Sequence, residues 1–186
     1  MDRGKNGRFV LTGGPGSGKT TLISALAGAR CSTMPEAGRS IIRQHQAIDG
    51  PALPATDPLL FAELMLSWDI RSHSEAAGRG GPVFFDRGVP DVLGYLALYG
   101  IPDPAHMTKA AARFRYEEAV FILPPWREIF VNDGERRQSF SEAERTYDAM
   151  VGVYRRFGYR LVEVPRTPVE ERLHFILSSL GGPPAS

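Results

Sequence analysis

Residues 13–20 read Gly-Gly-Pro-Gly-Ser-Gly-Lys-Thr, and every fixed position of G-x-x-x-x-G-K-[ST] is filled. That composition suits one kind of chemistry. Glycines let the chain turn tightly and bring its amides up to phosphate oxygens. A helix opening at the end of the run adds the positive end of its dipole. Lys19 is placed to reach the β- and γ-phosphates of a nucleoside triphosphate, and Thr20 to ligate Mg²⁺. The nucleotide-binding set is therefore Gly13, Gly14, Pro15, Gly16, Ser17, Gly18, Lys19, Thr20 and Thr21. The dinucleotide spacing G-x-G-x-x-G fails, because from Gly14 or Gly16 the third glycine position falls on Lys19 or Thr21.

A carboxylate and an arginine follow at the end of the strongest internal apolar run, "PVFFDR". In open α/β sheets ligands gather at the carboxyl ends of strands, which puts Asp86 near the glycine loop. Asp86 reads either as a ligand of Mg²⁺ or as the acceptor of a proton from an attacking hydroxyl. Arg87 reads as a clamp on substrate hydroxyl or phosphate, or as half of a structural ion pair at a strand end. Asp91 either lines the same cleft or caps a helix. Glu36, in "MPEAGRSIIRQ", stands just past the second strand. It is a second candidate for the general base, against the plainer reading of an acid at a helix start. Between Glu36 and Asp86 the residue types do not separate base from metal ligand.

The stretch "PPWREIFVNDGERRQSF" supplies Arg127, Arg136 and Arg137, placed to neutralise charge on a transferred phosphoryl group or to form a solvated charged loop. Asp133-Gly134 gives it a turn. Trp126 is set to stack on a base or to pack. Of Trp68, Asp69 and Arg71, any is a candidate wall for a second substrate. His45, His73, His106 and His174 show no metal-ligand spacing.

Positioning these groups requires short buried strands alternating with helices, the pattern of an α/β fold on a parallel sheet. Strands are expected at 8–12, 30–34, 82–86, 119–123 and 160–164. Helices are expected from Thr20 to about Ala29, after Asp57-Pro58, after Asp103-Pro104, and from 167 to about Gly181. Another opens with Ser141 and Glu144 as a capping box, carries Tyr147, Met150, Val151, Tyr154 and Phe157 on one face, and stops at Gly158. Residues 44–56 read as a mobile loop.

With 186 residues, one domain over 1–186 is expected, flexible at 1–7 and 181–186 and with a lid at about 126–141. A net charge of +1 gives no pull toward nucleic acid or an acidic membrane. The lone Cys31 excludes an intrachain disulfide and a thiolate metal site. Neither a signal peptide nor a membrane span is read, so the expected compartment is cytoplasmic. The oligomeric state is not legible.

The first motif resembles the Walker A loop of the P-loop NTPase superfamily. Together "TGGPGSGKTTL", "PEAGRSIIR", "FFDRGVPDVLGYL" and "VNDGERRQSF" resemble the small P-loop ATPase/kinase family, an AAA-domain family that includes ribosylnicotinamide-kinase-like domains. The resemblance covers nearly the whole chain. It implies a three-layer α/β/α fold with a five-stranded parallel sheet ordered 2-3-1-4-5. It also implies phosphate-loop roles for Gly13, Gly18, Lys19 and Thr20, an Asp-Arg pair at Asp86 and Arg87, and lid arginines at Arg136 and Arg137. The activity so implied is ATP-dependent phosphotransfer, with ATP or GTP and Mg²⁺ as cofactors and a small molecule or nucleotide as acceptor. The alternative is a nucleotide-binding ATPase or GTPase switch with slow hydrolysis and a macromolecular partner. An Asn-Lys-x-Asp base-reading motif is absent, the asparagines being Asn6 and Asn132 alone. The acid that motor ATPases place after the strand-end aspartate is replaced by Arg87.

Overall fold

Strands β1 (Arg8–Gly13), β2 (Ser32–Met34), β3 (Val83–Asp86), β4 (Ala119–Leu123) and β5 (Arg160–Glu163) form a single sheet in a computed structural model describing residues 7–130 and 139–180. Their order is β2-β3-β1-β4-β5, and every pairing is parallel. Seven helices lie among the described residues: α1 (Lys19–Gly28), α2 (Ala37–Ala47), α3 (Pro58–Glu75), α4 (Val89–Leu98), α5 (Ala105–Arg113), α6 (Phe140–Arg156) and α7 (Val169–Ser179). None of them is long and apolar enough to cross a membrane.

Whereas the edge strands β2 and β5 are only partly buried, the central strands β3, β1 and β4 are apolar almost throughout because both sheet faces are covered there. Their two-residue alternation sorts the side chains into two cores. Phe9 and Leu11 of β1, Phe84 of β3, and Phe121 and Leu123 of β4 pack with Leu22, Leu26 and Ile176 of α1 and α7. Val10, Val83, Phe85, Val120 and Ile122 point the other way and pack under α3, α4, α5 and α6. A third cluster joins α2 to α3 through Ile41, Ile42, Ala52 and Phe61.

Three expectations shift. Residues 44–56 are not all loop, since α2 continues to Ala47 before the chain turns. His45 then organises that turn: its carbonyl accepts from Gly50 N at 2.7 Å and its Nδ1 from Ala52 N at 3.2 Å, which seats a fully buried Ala52. The capping box of α6 is Ser139 with Glu142, two residues earlier than Ser141 with Glu144. Both pairs fit the pattern; the earlier one prevails because Phe140 is already held edge-on to Phe130 at 5.4 Å and beneath Arg127 at 4.1 Å. The buried stripe of α6 accordingly runs through Ala143, Thr146, Met150, Val153 and Tyr154, with Tyr147, Val151 and Phe157 at its margin. The helix stops before Gly158, whose φ of 74° is left-handed. Helix α1 begins one residue earlier than expected, at Lys19.

Because Ser139 N donates to Glu142 Oε2 at 2.6 Å and Glu142 N to Ser139 Oγ at 3.2 Å, Ser139→Ala is expected to destabilise the chain by about 1 kcal/mol. Urea denaturation of the two proteins measures this; an unchanged midpoint would show that this end of α6 frays already. The terminal segments 1–6 and 181–186, Asp133-Gly134, Arg136 and Arg137 lie outside the described residues.

Candidate functional site

The glycine run spans the gap between β1 and α1. Gly16 and Gly18 take φ of 68° and 77°, a region costly for a side chain. A Cβ on Gly18 would also fall 2.6 Å from Arg172 Nη1. Ser17 Oγ donates to the Gly14 carbonyl at 2.9 Å and closes the loop on itself. Gly18 is the N-cap of α1 and offers no side-chain cap, and the first turn of α1 holds no acid. The amides at this helix end therefore face no competing protein anion, which is what a phosphate needs. Thr20 and Thr21 are exposed at the same end. A cavity of about 520 Å³ covers the loop, with Trp126, Phe130, Val169 and Arg172 on its far side.

Lys19 is buried at the floor and its Nζ is ion-paired to Asp86 Oδ1. The sheet makes this meeting: β3 lies beside β1 with Asp86 level with Leu11, so the strand-end carboxylate stands under the loop that follows β1. Arg87 then turns through a left-handed φ of 73°, its amide donating to the Leu11 carbonyl at 2.9 Å. Its guanidinium bridges two carboxylates, with Nε 3.4 Å from Glu36 Oε1 and Nη1 3.3 Å from Asp91 Oδ1. Burial alone would lower its pKa, but Glu36, Asp91 and Asp86 together hold it above its ordinary value.

Asp91 is at once a helix-end residue and a cleft residue. From the first turn of α4 its Oδ2 accepts from Gly88 N at 2.9 Å. It also accepts from Thr12 Oγ1 at 2.5 Å and from Tyr154 OH at 2.5 Å. Burial first, then the Asp91 charge, pushes the Tyr154 phenol well above its usual pKa. These bonds tie β1, α4 and α6 into one buried polar knot behind Arg87.

A second cavity, of about 500 Å³, opens on the other side of Glu36 and Arg87. Both residues, with Pro15, line the two cavities in common. Asp69 of α3 faces the second one; burial first, then the Asp91 carboxylate, raises its pKa well above the usual carboxylate range.

The tertiary structure thus brings Lys19, Glu36, Asp86 and Arg87 to one place, beside the glycine loop. It separates others. Arg71 pairs with Glu75 on the surface at 2.7 Å, and Trp68 packs into the α2–α3 cluster. Arg127 lies over the Phe140 ring. Arg39 reaches the first cavity and sits 3.4 Å from Glu36, whereas Arg43 is exposed. Arg172 went unread in the sequence. It is buried, donates from Nη2 to the Ser17 carbonyl at 3.0 Å, and has its pKa lowered by burial. The available signal was a charge inside an apolar stripe, since Val169, Arg172, Leu173 and Ile176 share one face of α7.

Among the described residues no group of three or more His, Cys, Asp and Glu side chains is placed to hold a metal ion. Thr20 and Asp86 offer one hydroxyl and one carboxylate, oxygen donors that suit Mg²⁺ but are too few for a closed protein cage. That donor set fits an ion completed by water and substrate phosphates.

Residues 8–172 match the AAA domain family. No curated protein matches the sequence. Among solved structures the fold is similar to a NadR protein in complex with NR, at 18% identity and a TM-score of 0.71, covering 94% of this chain and 50% of that one. This chain therefore spans about half the length of that relative. It is also similar to deoxyadenosine kinase from M. mycoides with bound dATP, at 14% identity and a TM-score of 0.60, covering 95% of this chain and 100% of that one. Thymidylate kinase from Ehrlichia chaffeensis follows at 16% identity and a TM-score of 0.62, with 93% and 97% covered.

Proposed function

The chain belongs to the AAA domain family, in its small P-loop, kinase-like branch, and on that premise we propose that it transfers the γ-phosphoryl group of ATP to a hydroxyl or phosphate of a small acceptor. The observation that carries this reading is the pair of cavities meeting at Glu36 and Arg87. A switch that only hydrolyses its nucleotide needs one pocket and a water; a transferase needs a second pocket that opens onto the first. The kinases named above share the fold, which supports the reading without supplying the acceptor.

In this mechanism the triphosphate lies along residues 13–21, its oxygens facing the backbone amides and the open end of α1. Lys19 exchanges Asp86 for the β- and γ-phosphates. Asp86 and Thr20 would be the residues to hold a Mg²⁺ bound with the nucleotide, and such an ion would supply charge withdrawal from the phosphates. Asp86 lines neither cavity, whereas Glu36 lines both. We therefore assign Glu36 as proton acceptor and Asp86 as organiser of Lys19 and metal. The acceptor oxygen attacks the γ-phosphorus, the bond to the β–γ bridging oxygen breaks, ADP leaves, and the hydroxyl proton passes to Glu36. Arg87 orients the acceptor oxygen and stabilises charge on the moving phosphoryl group. Arg136 and Arg137, which lie outside the described residues, are proposed to complete that stabilisation. Most of the rate then comes from positioning and charge neutralisation.

The test is ADP and GDP release with Mg²⁺ across nucleosides, nucleotides, sugars and aminoglycosides, with products weighed. The expected result is release that rises with one acceptor, which gains about eighty mass units as one phosphoryl group is added. Slow release indifferent to every acceptor would replace this reading with the nucleotide switch.

A further inference from the structure

Resting on the reading of residues 13–20 as a triphosphate loop, we infer that Arg172 is a positioning residue of that loop: its guanidinium sets the loop's backbone from α7, and its charge is answered by the bound polyphosphate rather than by the protein.

Arg172 stands in the apolar stripe of α7 with Val169, Leu173 and Ile176, and is only 4% exposed. Its chain neighbours Glu170 and Glu171 are exposed, and no described carboxylate pairs with it. Its Nε is shut off from solvent without a hydrogen-bond partner. A buried cation is ordinarily paired, because leaving water is costly for a charge. Arg87 obeys that rule, held between Glu36 and Asp91, which help to keep its pKa above the ordinary value. Arg172 does not: burial lowers its pKa and no acid offsets the effect. The protein therefore keeps a cation that costs stability, beside a loop built for an anion.

Nη2 of this cation donates to the Ser17 carbonyl at 3.0 Å, and Nη1 lies so near Gly18 that a Cβ there would fall 2.6 Å from it. The Ser17–Gly18 peptide is trans, so its carbonyl and its amide point opposite ways. Drawing the Ser17 carbonyl toward α7 turns the Gly18 amide away from α7. Gly16 and Gly18 flank Ser17 with φ of 68° and 77°. Glycine adopts either sign of φ with similar ease, so a bond from outside the loop is what selects this one. Ser17 Oγ passes the constraint on by donating to the Gly14 carbonyl at 2.9 Å.

The Trp126 ring lies 5.7 Å from the guanidinium carbon. Its face attracts a cation but brings no full negative charge. Arg172 also lines the first cavity. A triphosphate on the loop supplies the missing charge in a poorly screened place, where attraction is stronger than in water.

A brace that merely holds the fold and a cation kept for a ligand predict opposite results for Arg172→Met. Methionine suits the apolar stripe and has no charge, so the urea midpoint is expected to stay at the wild-type value or to rise. Affinity is expected to fall by about tenfold or more, for MgATP and for inorganic tripolyphosphate with Mg²⁺ alike, by calorimetry on the full chain. Tripolyphosphate has no base or ribose and isolates the phosphate chain. Arg172→Lys, which keeps the charge, is expected to recover part of the loss. A loss for MgATP that tripolyphosphate does not share makes Arg172 a base contact and overturns the inference. So does a lysine variant as weak as the methionine one, or a midpoint that falls in Arg172→Met, the mark of a structural brace. Undiminished affinity in Arg172→Met overturns the inference alone and leaves phosphotransfer standing. A wild-type chain that binds neither compound overturns the inference and the triphosphate reading together.

Discussion

Replacing Lys19 with methionine is expected to abolish triphosphate binding and, in the nucleotide-free chain, to destabilise the fold by about 3–5 kcal/mol. The two effects have different sources, and the Lys19–Asp86 pair lets them be separated. Binding is lost because the ammonium that meets the β- and γ-phosphates is gone; we expect MgATP affinity to fall by about a hundredfold or more. Stability is lost because Asp86 is left in a site where its side chain is only 8% exposed, with its cation removed. Adding Asp86→Asn to Lys19→Met removes the stranded charge. The double variant should therefore recover most of the denaturation midpoint and none of the affinity. Calorimetry with MgATP and urea denaturation, run on the same three variants, give the answer. Wild-type affinity in Lys19→Met would sink the phosphate-loop assignment. A double variant no more stable than the single one would show that the pair is not what the lysine contributes.

Arg87→Gln is expected to lower turnover by about a hundredfold to a thousandfold, with MgATP affinity nearly unchanged. Arg87 stands where the two cavities meet, at 3.4 Å from Glu36 and 3.3 Å from Asp91, and it holds a left-handed backbone that few residues other than glycine adopt. Such a conformation is kept where the surroundings impose it. Here the Leu11 carbonyl holds the amide and two carboxylates hold the guanidinium. Glutamine keeps some of the hydrogen bonding and none of the charge, so the loss should appear in turnover rather than in nucleotide binding. Steady-state kinetics with the best acceptor, beside a nucleotide titration, separates the two. Equal losses in both would make Arg87 part of the nucleotide site, and unchanged turnover would reduce it to a structural ion pair.

The sequence by itself determined the strands and the phosphate loop, while the strand order came only with the resemblance to a known family. Buried parallel strands must be apolar on both faces, which makes runs such as "RFVLT", "PVFFD" and "AVFIL" stand out. A loop that receives phosphates through its backbone must be rich in glycine, and its lysine must come at a set offset, so Gly13–Thr20 is legible without a fold. Asp57 with Pro58 was equally plain, because a cap acts within four residues: Asp57 Oδ1 accepts from Leu60 N at 2.9 Å. Local physics leaves local marks.

Everything that depends on residues far apart in the chain waited for the tertiary structure. Ser139 and Ser141 offer equal local caps, and a contact from Phe140 to Phe130 chose between them. Asp91 was open between two roles and proved to have both, since Thr12 and Tyr154 reach it across separations of 79 and 63 residues. Arg172 lies 155 residues from the Ser17 carbonyl it braces, and nothing near it in sequence marks that partner. The different placements of Glu36 and Asp86 were likewise invisible, because two carboxylates of the same chemistry are told apart only by the packing that puts Glu36 on the walls of both cavities and Asp86 on neither. Residue type and short spacing carry chemistry and secondary structure. The crossing of β3 beside β1, and the packing of α3, α4 and α6 against one face, decided which of those groups meet.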